Sequence, residues 1–294
     1  MKAFIFPGQG SQFPGMGKEL YNLPDGKRLF EIANKILEFN ISDIMFNGNN
    51  EQLKQTNVTQ PSIFIHSVVL SEIIKKNKKF NPNMLAGHSL GEISALTAGE
   101  VLSFEDGLKL VKIRSEEMQK ACKKQNSTMA AILQMDIDTI KKVCDDTKGI
   151  IVPANYNCPG QIVISGEQKS IENACEKLKS LGARRAIILP VGGAFHSPLM
   201  EPAKEKLEQF IEKTEFKKPI CAIYQNFNAK GIKDPREIKF NLIKQLVSPV
   251  KWEQSIKRMI DDGATEFIEV GPGKVLQGLT KKINATASTY SLSI

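Results

Sequence analysis

The segment NMLAGHSLGEISALTAG, at positions 83–99, joins an apolar stretch to a helix-forming stretch through a glycine-rich turn. Met84–Ala86 are expected to form a short buried strand, Gly87–Gly91 a turn, and the residues that follow a helix. Other strand-like and helix-like stretches alternate along the chain, from AFIF at 3–6 to STYSLSI at 288–294. Because alternating strands and helices are typical of a mostly parallel sheet covered by helices, we expect an α/β fold.

Residues 127–191 follow an order of their own. Their patterns predict a strand, a helix, two strands joined by a turn at 158–160, a helix and a last strand. This β-α-β-β-α-β order is that of the ferredoxin-like fold. We therefore expect a small ferredoxin-like subdomain at 127–191, inserted into a large α/β-hydrolase-like catalytic subdomain formed by residues 1–126 and 192–294.

The glycine-rich turn carries the pattern G-x-S-x-G, with Ser89 at its centre. A serine on a tight turn from strand to helix exposes its hydroxyl, and free N–H groups at the helix start can stabilise an oxyanion. Such a nucleophile needs a base. Of the three histidines, His66 lies in an apolar helix-like stretch, and His88 is expected to line the site with its side chain pointing away from Ser89. His196, in a glycine-rich loop, is therefore the predicted base.

One charged residue lies on the apolar side of a predicted helix that begins after Ser103. Arg114 falls between Leu110 and Met118 in the apolar stripe, whereas the lysines and glutamates of this helix lie on the other side. A buried guanidinium is unfavourable unless an anion meets it. The pattern leaves two alternatives open: an ion pair with a buried Asp or Glu, or a site for a ligand carboxylate, which the planar fork of arginine suits.

Composition and charge exclude several other classes of protein. No apolar run approaches the roughly 18 residues of a membrane-spanning helix, and the N-terminus does not resemble a secretory signal. The five cysteines are scattered without a C-x-x-C pair, so we expect a cytoplasmic protein with neither a disulfide framework nor a metal site. The net charge of +8 favours acidic or phosphorylated partners, but no basic segment interleaved with aromatic residues indicates nucleic acid binding. A monomer is expected, since no long apolar surface pattern is present.

Motifs along nearly the whole chain resemble those of the malonyl-CoA:acyl carrier protein transacylases of bacterial fatty-acid synthesis. These motifs are FPGQGSQ at 6–12, TQP at 59–61, GHSLGE at 87–92, Arg114 in VKIRSEEMQ, PANYNCPGQIVISG at 153–166, GAFHSPLM at 193–200, SPVKW at 248–252 and EVGPGKVL at 269–276. The set, in this order and spacing, carries the resemblance more than any single motif does.

The resemblance implies a role for each matching residue. Ser89 would be the acylated nucleophile and His196 its general base. The backbone N–H groups of Gln9 and Leu90 would form the oxyanion hole. Arg114 would form a bidentate pair with the free carboxylate of the malonyl group.

Three further positions complete the predicted site. Gln60 would line the pocket, and the main-chain carbonyl of Gln245 would orient the imidazole of His196. In related polyketide acyltransferases, a phenylalanine at the position of Phe195 accompanies malonyl substrates and a serine accompanies methylmalonyl, because a large ring crowds an α-methyl group.

The implied reaction is a ping-pong transfer of a malonyl group from malonyl-CoA to the phosphopantetheine thiol of an acyl carrier protein. The carrier is an acidic partner bound transiently, no membrane or nucleic acid is involved, and no cofactor is needed because the coenzyme A thioester is itself a substrate. Three alternatives remain open: a serine thioesterase or hydrolase on the same scaffold, a transacylase of a polyketide pathway, and a catalytically silent module that binds the carrier protein.

Overall fold

The computed structural model describes residues 1–292. Its strands are β1 (Lys2–Phe6), β2 (Met84–Gly87), β3 (Ser127–Leu133), β4 (Ile151–Cys158), β5 (Gln161–Glu167), β6 (Arg185–Ile188), β7 (Ala222–Tyr224), β8 (Gly231–Ile232), β9 (Glu266–Glu269) and β10 (Ser288–Ser291). Its helices are α1 (Lys18–Tyr21), α2 (Pro24–Leu37), α3 (Ile41–Asn47), α4 (Asn50–Lys54), α5 (Thr56–Lys76), α6 (Leu90–Ala98), α7 (Phe104–Lys124), α8 (Ile137–Asp146), α9 (Gln168–Ser180), α10 (Glu201–Lys213), α11 (Pro235–Gln245), α12 (Trp252–Asp261) and α13 (Val275–Ile283). Of the predicted last strand, residues 293 and 294 lie outside the described residues.

A mostly parallel sheet forms the centre of the molecule. Its strand order is β10-β9-β1-β2-β7-β8, and only the pair β7 and β8 is antiparallel within the described residues. The α/β fold with a mostly parallel sheet is therefore confirmed. Phe6 lies opposite Gly87 in the register of β1 and β2, so the loops that follow these two strands leave the sheet side by side.

The two faces of this sheet bury alternate residues of the same strands. In β1, Phe4 and Phe6 pack into a core on one face, whereas Ala3 and Ile5 pack into a second core on the other face, which also contains Trp252. Successive side chains of a strand point to opposite faces, so a strand covered on both sides is apolar throughout. This explains why AFIF reads as a continuous apolar run.

A second, antiparallel sheet is built by residues 127–188. Its strand order is β4-β5-β3-β6, and its chain order is strand, helix, strand, strand, helix, strand, as the sequence pattern predicted. Helices α8 and α9 pack on it around a separate apolar core. This sheet lies beside the turn that follows β2, since Nε2 of His88 lies 2.9 Å from Oδ1 of Asn157 in β4. Tyr156 of β4 also donates its backbone N–H to the carbonyl of Val250.

Several helices differ from the sequence-based expectation. Helix α5 begins at Thr56, whereas the apolar pattern predicted a start at Ser62, and Pro61 lies inside it. A proline inside a helix removes a backbone hydrogen bond, but burial of the preceding residues Thr59 and Gln60 favours the longer helix here. Helices α2 and α10 occupy segments for which no element was predicted.

In residues 1–292, no helix combines the length and the apolar character needed to span a membrane.

Burial of His66 predicts acid sensitivity of the fold. The side chain is 6% exposed on α5, and burial lowers its pKa from 6.5 to about 4. Between pH 6.5 and pH 4 the unfolded chain binds a proton at His66 more strongly than the folded chain does. The contribution of neutral His66 to the free energy of unfolding is therefore complete above pH 6.5 and is lost as the pH falls toward 4. The loss attributable to His66 is about 3 kcal/mol.

We expect His66→Leu to reduce the slope of the unfolding free energy against pH between pH 6.5 and 5, as measured by urea unfolding. Above pH 7 the variant and the unaltered protein should show parallel pH dependence, because His66 is neutral in both states there. Identical slopes below pH 6.5 would contradict this assignment.

Candidate active site

Ser89 lies at the end of β2 and caps the start of α6 in a strained backbone conformation. Its φ is 53° and its ψ is −107°, a combination that residues with a side chain rarely adopt. The two glycines of the motif make this turn possible. A Cβ on Gly87 would lie 1.9 Å from the carbonyl carbon of Gly91, and a Cβ on Gly91 would lie 2.1 Å from the carbonyl oxygen of Phe6. Strand and helix therefore approach each other more closely than any other residue would allow.

His196 reaches Ser89 from the loop between β6 and α10. Its Nε2 lies 2.7 Å from Oγ of Ser89, and its Nδ1 lies 3.0 Å from the main-chain carbonyl oxygen of Gln245. With the proton on Nδ1 donated to that carbonyl, Nε2 is free to accept the serine proton. The loop is fixed because Ser165 of β5 donates its hydroxyl to the carbonyl of Phe195 at 2.7 Å.

The environment of His196 keeps its imidazole neutral. The side chain is 2% exposed, and burial, together with the positive charge of Arg114, lowers its pKa from 6.5 to about 3. A main-chain carbonyl, and not a carboxylate, is the partner of Nδ1. A neutral imidazole is the form that can act as a base.

Arg114 is buried beside the nucleophile, as its place on the helix predicted. Its Nη1 donates to Oε1 of Gln60 at 2.5 Å, and its Nη2 donates to Oγ of Ser89 at 3.0 Å and to Oε1 of Gln245 at 3.3 Å. Burial lowers the pKa of the guanidinium to about 10, an effect that the negative charge of Glu92 partly offsets.

No carboxylate of the described residues forms an ion pair with Arg114. Its direct partners are neutral oxygens, and its Nε has no hydrogen-bond partner within residues 1–292. The sequence left two alternatives for this side chain, a structural ion pair and a site for a ligand carboxylate. The only support for the ion pair among the described residues is the longer-range Coulombic effect of Glu92 on Arg114. The guanidinium remains able to bind an anion next to the Ser89 hydroxyl.

A cavity of about 230 Å³ opens above Ser89 between the two sheets. It is lined by the predicted site residues Gln9, Gln60, His88, Ser89, Leu90, Arg114, Phe195 and His196. Met129 and Val163 of the antiparallel sheet close its opposite wall. The structure therefore brings these predicted residues together, and Gln245 joins them through its contacts with His196 and Arg114.

The backbone around Gln9 and Leu90 borders the same cavity. Leu90 is the first residue of α6, where N–H groups have no partner within the helix. Gly8 brings the neighbouring loop close, since a Cβ there would lie 2.4 Å from the carbonyl oxygen of His88. This approach sets the backbone of Gln9 beside the serine turn.

His88 points away from the hydroxyl of Ser89 toward the antiparallel sheet. Its Nε2 lies 2.9 Å from Oδ1 of Asn157 in β4, and its ring packs against Trp252 with centroids 5.5 Å apart. Burial lowers its pKa. The side chain therefore links the serine turn to the second sheet.

Two buried polar residues at the site were not singled out from the sequence. Asn226 follows β7 and accepts the backbone N–H of Ser89 at 2.7 Å, and Glu92 on α6 accepts the backbone N–H of Asn226 at 2.7 Å. Glu92 carried the same signal as Arg114, a charge within an otherwise apolar stretch. Asn226 carried only a weak signal, since polar residues commonly follow strands.

The residues that the structure describes contain no cluster of His, Cys, Asp and Glu that could hold a metal ion.

Comparison with known proteins agrees with this geometry. Residues 3–290 match the model of the acyl transferase domain. The malonyl CoA-acyl carrier protein transacylase of Bacillus subtilis is 46% identical over 99% of this chain and 93% of its own length. The relative of the same name from Staphylococcus aureus is 43% identical over 99% of this chain and 94% of its own length.

Solved structures give the same result. The acyl carrier protein S-malonyltransferase of Vibrio cholerae superposes with a TM-score of 0.95 at 37% identity, over 99% of this chain and 96% of that one. A malonyl-transacylase in complex with a type II polyketide synthase acyl carrier protein also has a TM-score of 0.95, at 35% identity over 99% of this chain and 95% of that one. The chain therefore belongs to the acyl transferase family, within the group of the malonyl CoA-acyl carrier protein transacylases.

Proposed function

We propose that this protein transfers a malonyl group from malonyl-CoA to the phosphopantetheine thiol of an acyl carrier protein through a malonyl-Ser89 intermediate, and so feeds fatty-acid elongation. The observation that carries this proposal is the buried guanidinium of Arg114, which donates to the Ser89 hydroxyl and, among residues 1–292, has only neutral oxygens as direct partners. The names of the relatives supply the identity of donor and acceptor.

In the first half-reaction, Oγ of Ser89 attacks the thioester carbon while Nε2 of His196 takes the hydroxyl proton. The thioester oxygen becomes an oxyanion, which the backbone N–H groups of Gln9 and Leu90 would stabilise. As the carbon–sulfur bond breaks, coenzyme A leaves as a thiol with the proton from His196, and the malonyl group stays as an ester on Ser89.

Arg114 would bind the distal carboxylate of the malonyl group. To do so it would exchange its contact with Ser89 for hydrogen bonds to the carboxylate oxygens, and its Nε, which has no partner within residues 1–292, is a further free donor. A charged acceptor in a buried site makes stronger hydrogen bonds than these neutral oxygens do. The exchange would also release the Ser89 oxygen from a donor that reduces its nucleophilicity.

In the second half-reaction, the thiol of the carrier protein attacks the ester carbon of malonyl-Ser89. His196 accepts the thiol proton and returns a proton to Oγ as the ester bond breaks, so the serine is regenerated and the malonyl thioester leaves on the carrier. The net charge of +8 favours encounter with an acidic carrier, which we propose is bound transiently by a monomer of this chain.

We further interpret the two sheets as two subdomains. An α/β-hydrolase-like catalytic part would comprise residues 1–126 and 192–294, and a ferredoxin-like part would comprise residues 127–191. The chain order of the second part and its β4-β5-β3-β6 strand order support this division.

A carrier protein of a polyketide pathway is the second candidate acceptor. One of the similar solved structures is a malonyl-transacylase in complex with such a carrier. Transfer to a fatty-acid carrier and to a polyketide carrier can be compared at equal concentration, and faster transfer to the polyketide carrier would favour the second candidate.

The intermediate gives the first test. Mixing with malonyl-CoA should add one malonyl group to the peptide that contains Ser89, as seen by mass spectrometry, and Ser89→Ala should abolish it. If no adduct forms on the unaltered protein, the proposed function fails. Hydrolysis of malonyl-CoA without a carrier protein, as fast as transfer with one, would instead identify a thioesterase.

Arg114→Ala tests the role of the guanidinium. Loss of a desolvated charge pair should raise the barrier for malonyl-CoA by about 2–5 kcal/mol, with a relative gain for acetyl-CoA, which has no carboxylate. Initial rates of Ser89 acylation with both donors measure this. Lys109→Ala, on the exposed side of the same helix, is the matched control. An equal loss with both donors would mean that Arg114 is structural.

The low pKa of His196 predicts an unusual pH profile. Because its pKa is lowered to about 3, the imidazole stays neutral as the pH falls from 8 to 5.5, so kcat/KM for acylation should stay nearly constant in Glu92→Gln, which lacks the buried carboxyl whose pKa is about 7. A histidine with the ordinary pKa of 6.5 would lose about tenfold of its neutral form at pH 5.5. A tenfold fall centred near pH 6.5 would contradict the prediction, provided that the fluorescence of the single tryptophan, Trp252, shows a folded protein throughout.

A further inference from the structure

The conformation of Ser89 requires support from its surroundings. A residue with a side chain held at positive φ costs on the order of 1–3 kcal/mol and persists only where neighbouring groups hold it. Gly87 and Gly91 make the turn sterically possible, and the close packing of their backbone limits how far it can relax. The polar contacts of the turn add a second restraint.

One side chain bridges the turn. Oδ1 of Asn226 accepts the backbone N–H of Ser89 at 2.7 Å, and Nδ2 of the same amide donates to the carbonyl of Gly87 at 2.7 Å. Asn226 has no exposed surface, so both hydrogen bonds are shielded from water. A single planar amide thus fixes the orientation of the peptide groups on the strand side of the nucleophile.

Asn226 is held in place by Glu92 of helix α6, the helix that starts directly after Ser89. Oε2 of Glu92 accepts the backbone N–H of Asn226 at 2.7 Å, and Oε1 of Glu92 accepts from Nε2 of Gln225 at 3.1 Å. Glu92 lies in the first turn of α6, three residues after Ser89. The contacts form a closed ring from Ser89 to Asn226, to Glu92 and back along the helix to Ser89.

The sheet register explains why residue 226 occupies this place. Tyr224 of β7 pairs with Ala86 of β2, so the residues that follow the two strands emerge side by side. Asn226 lies two residues beyond Tyr224, and Ser89 lies three beyond Ala86. The side-chain amide of Asn226 therefore faces the turn that contains Ser89.

We propose that Asn226 is a positioning residue of the nucleophile, which holds the strained turn so that Oγ of Ser89 stays in line with Nε2 of His196. Glu92 fixes Asn226 in turn. The inference rests on the proposed acylation of Ser89 for its main readout, but it concerns residues to which that function assigns no part. It predicts an effect on the rate of acylation and not on the binding of the substrate.

The test is Asn226→Ala, with single-turnover measurement of malonyl-Ser89 formation. A displacement of about 1 Å of a reacting group can slow a reaction about 100-fold, and we expect a loss of this order. The dissociation constant for malonyl-CoA, measured in a Ser89→Ala background, should stay within about threefold. Asn228→Ala, in the same loop but with its side chain half-buried and accepting the backbone N–H of Lys230, is the matched control and should retain the full rate.

Two further measurements separate positioning from a merely structural role. Asn226→Asp keeps an oxygen to accept the N–H of Ser89 and loses the donor to Gly87, so it should recover part of the rate lost in Asn226→Ala. A fluorophosphonate that carries no carboxylate, and reacts with activated serine hydroxyls, should label Asn226→Ala more slowly in proportion to the loss of acylation. This readout does not depend on malonyl-CoA.

Different results would overturn the two proposals. If the folded fraction of Asn226→Ala, counted by titration of active sites, acylates within about threefold of the unaltered rate, Asn226 does not position Ser89. The same conclusion follows if folded Asn226→Ala reacts with the fluorophosphonate as fast as the unaltered protein. Absence of a malonyl adduct on the unaltered protein would refute the proposed function instead, and fluorophosphonate labelling would still test the positioning role.

Discussion

The candidate site depends on the close approach of three backbone segments at Ser89. Gly87, Gly91 and Gly8 each lie so near to a carbonyl group of a neighbouring segment that a Cβ would lie within 2.4 Å of it. Strand β2, helix α6 and the loop after β1 can meet only because these positions have no side chain. Their meeting places the half-buried Ser89, together with Gln9 and Leu90, at the wall of one cavity.

A buried positive charge contributes to the electrostatics of this cavity, in addition to the effect of burial itself. Arg114 has no direct anionic partner among the described residues, so its charge acts on the neighbouring titratable groups in a medium of low dielectric constant. It helps to lower the pKa of His196, and it opposes the effect of burial on Glu92, whose pKa is still raised to about 7. An anion bound beside Ser89 would compensate this charge, so the proposed binding of a carboxylate would also affect the pKa of His196.

Local sequence patterns predicted most of the elements that build the site. The strand, turn and helix around Ser89 were predicted, as were the inserted strand and helix order of residues 127–191, because each depends on residues close in sequence. Helices α2 and α10 were not predicted, although α10 buries Ala203, Leu207 and Ile211 at a helical spacing. Helix α5 was predicted too short, because burial favours helix on both sides of Pro61.

The sequence by itself determined the types of chemistry available: a serine on a turn that only glycines permit, a histidine chosen among three, and an arginine on an apolar helix face. Their motifs also indicated the family. Only the tertiary structure decided how these groups meet, because Ser89 contacts residues 25, 107 and 137 positions away along the chain. Contacts over such distances depend on strand order and register, and no local pattern encodes them. Hence Asn226, an ordinary polar residue after a short strand, gains its place beside the nucleophile only when β7 pairs with β2.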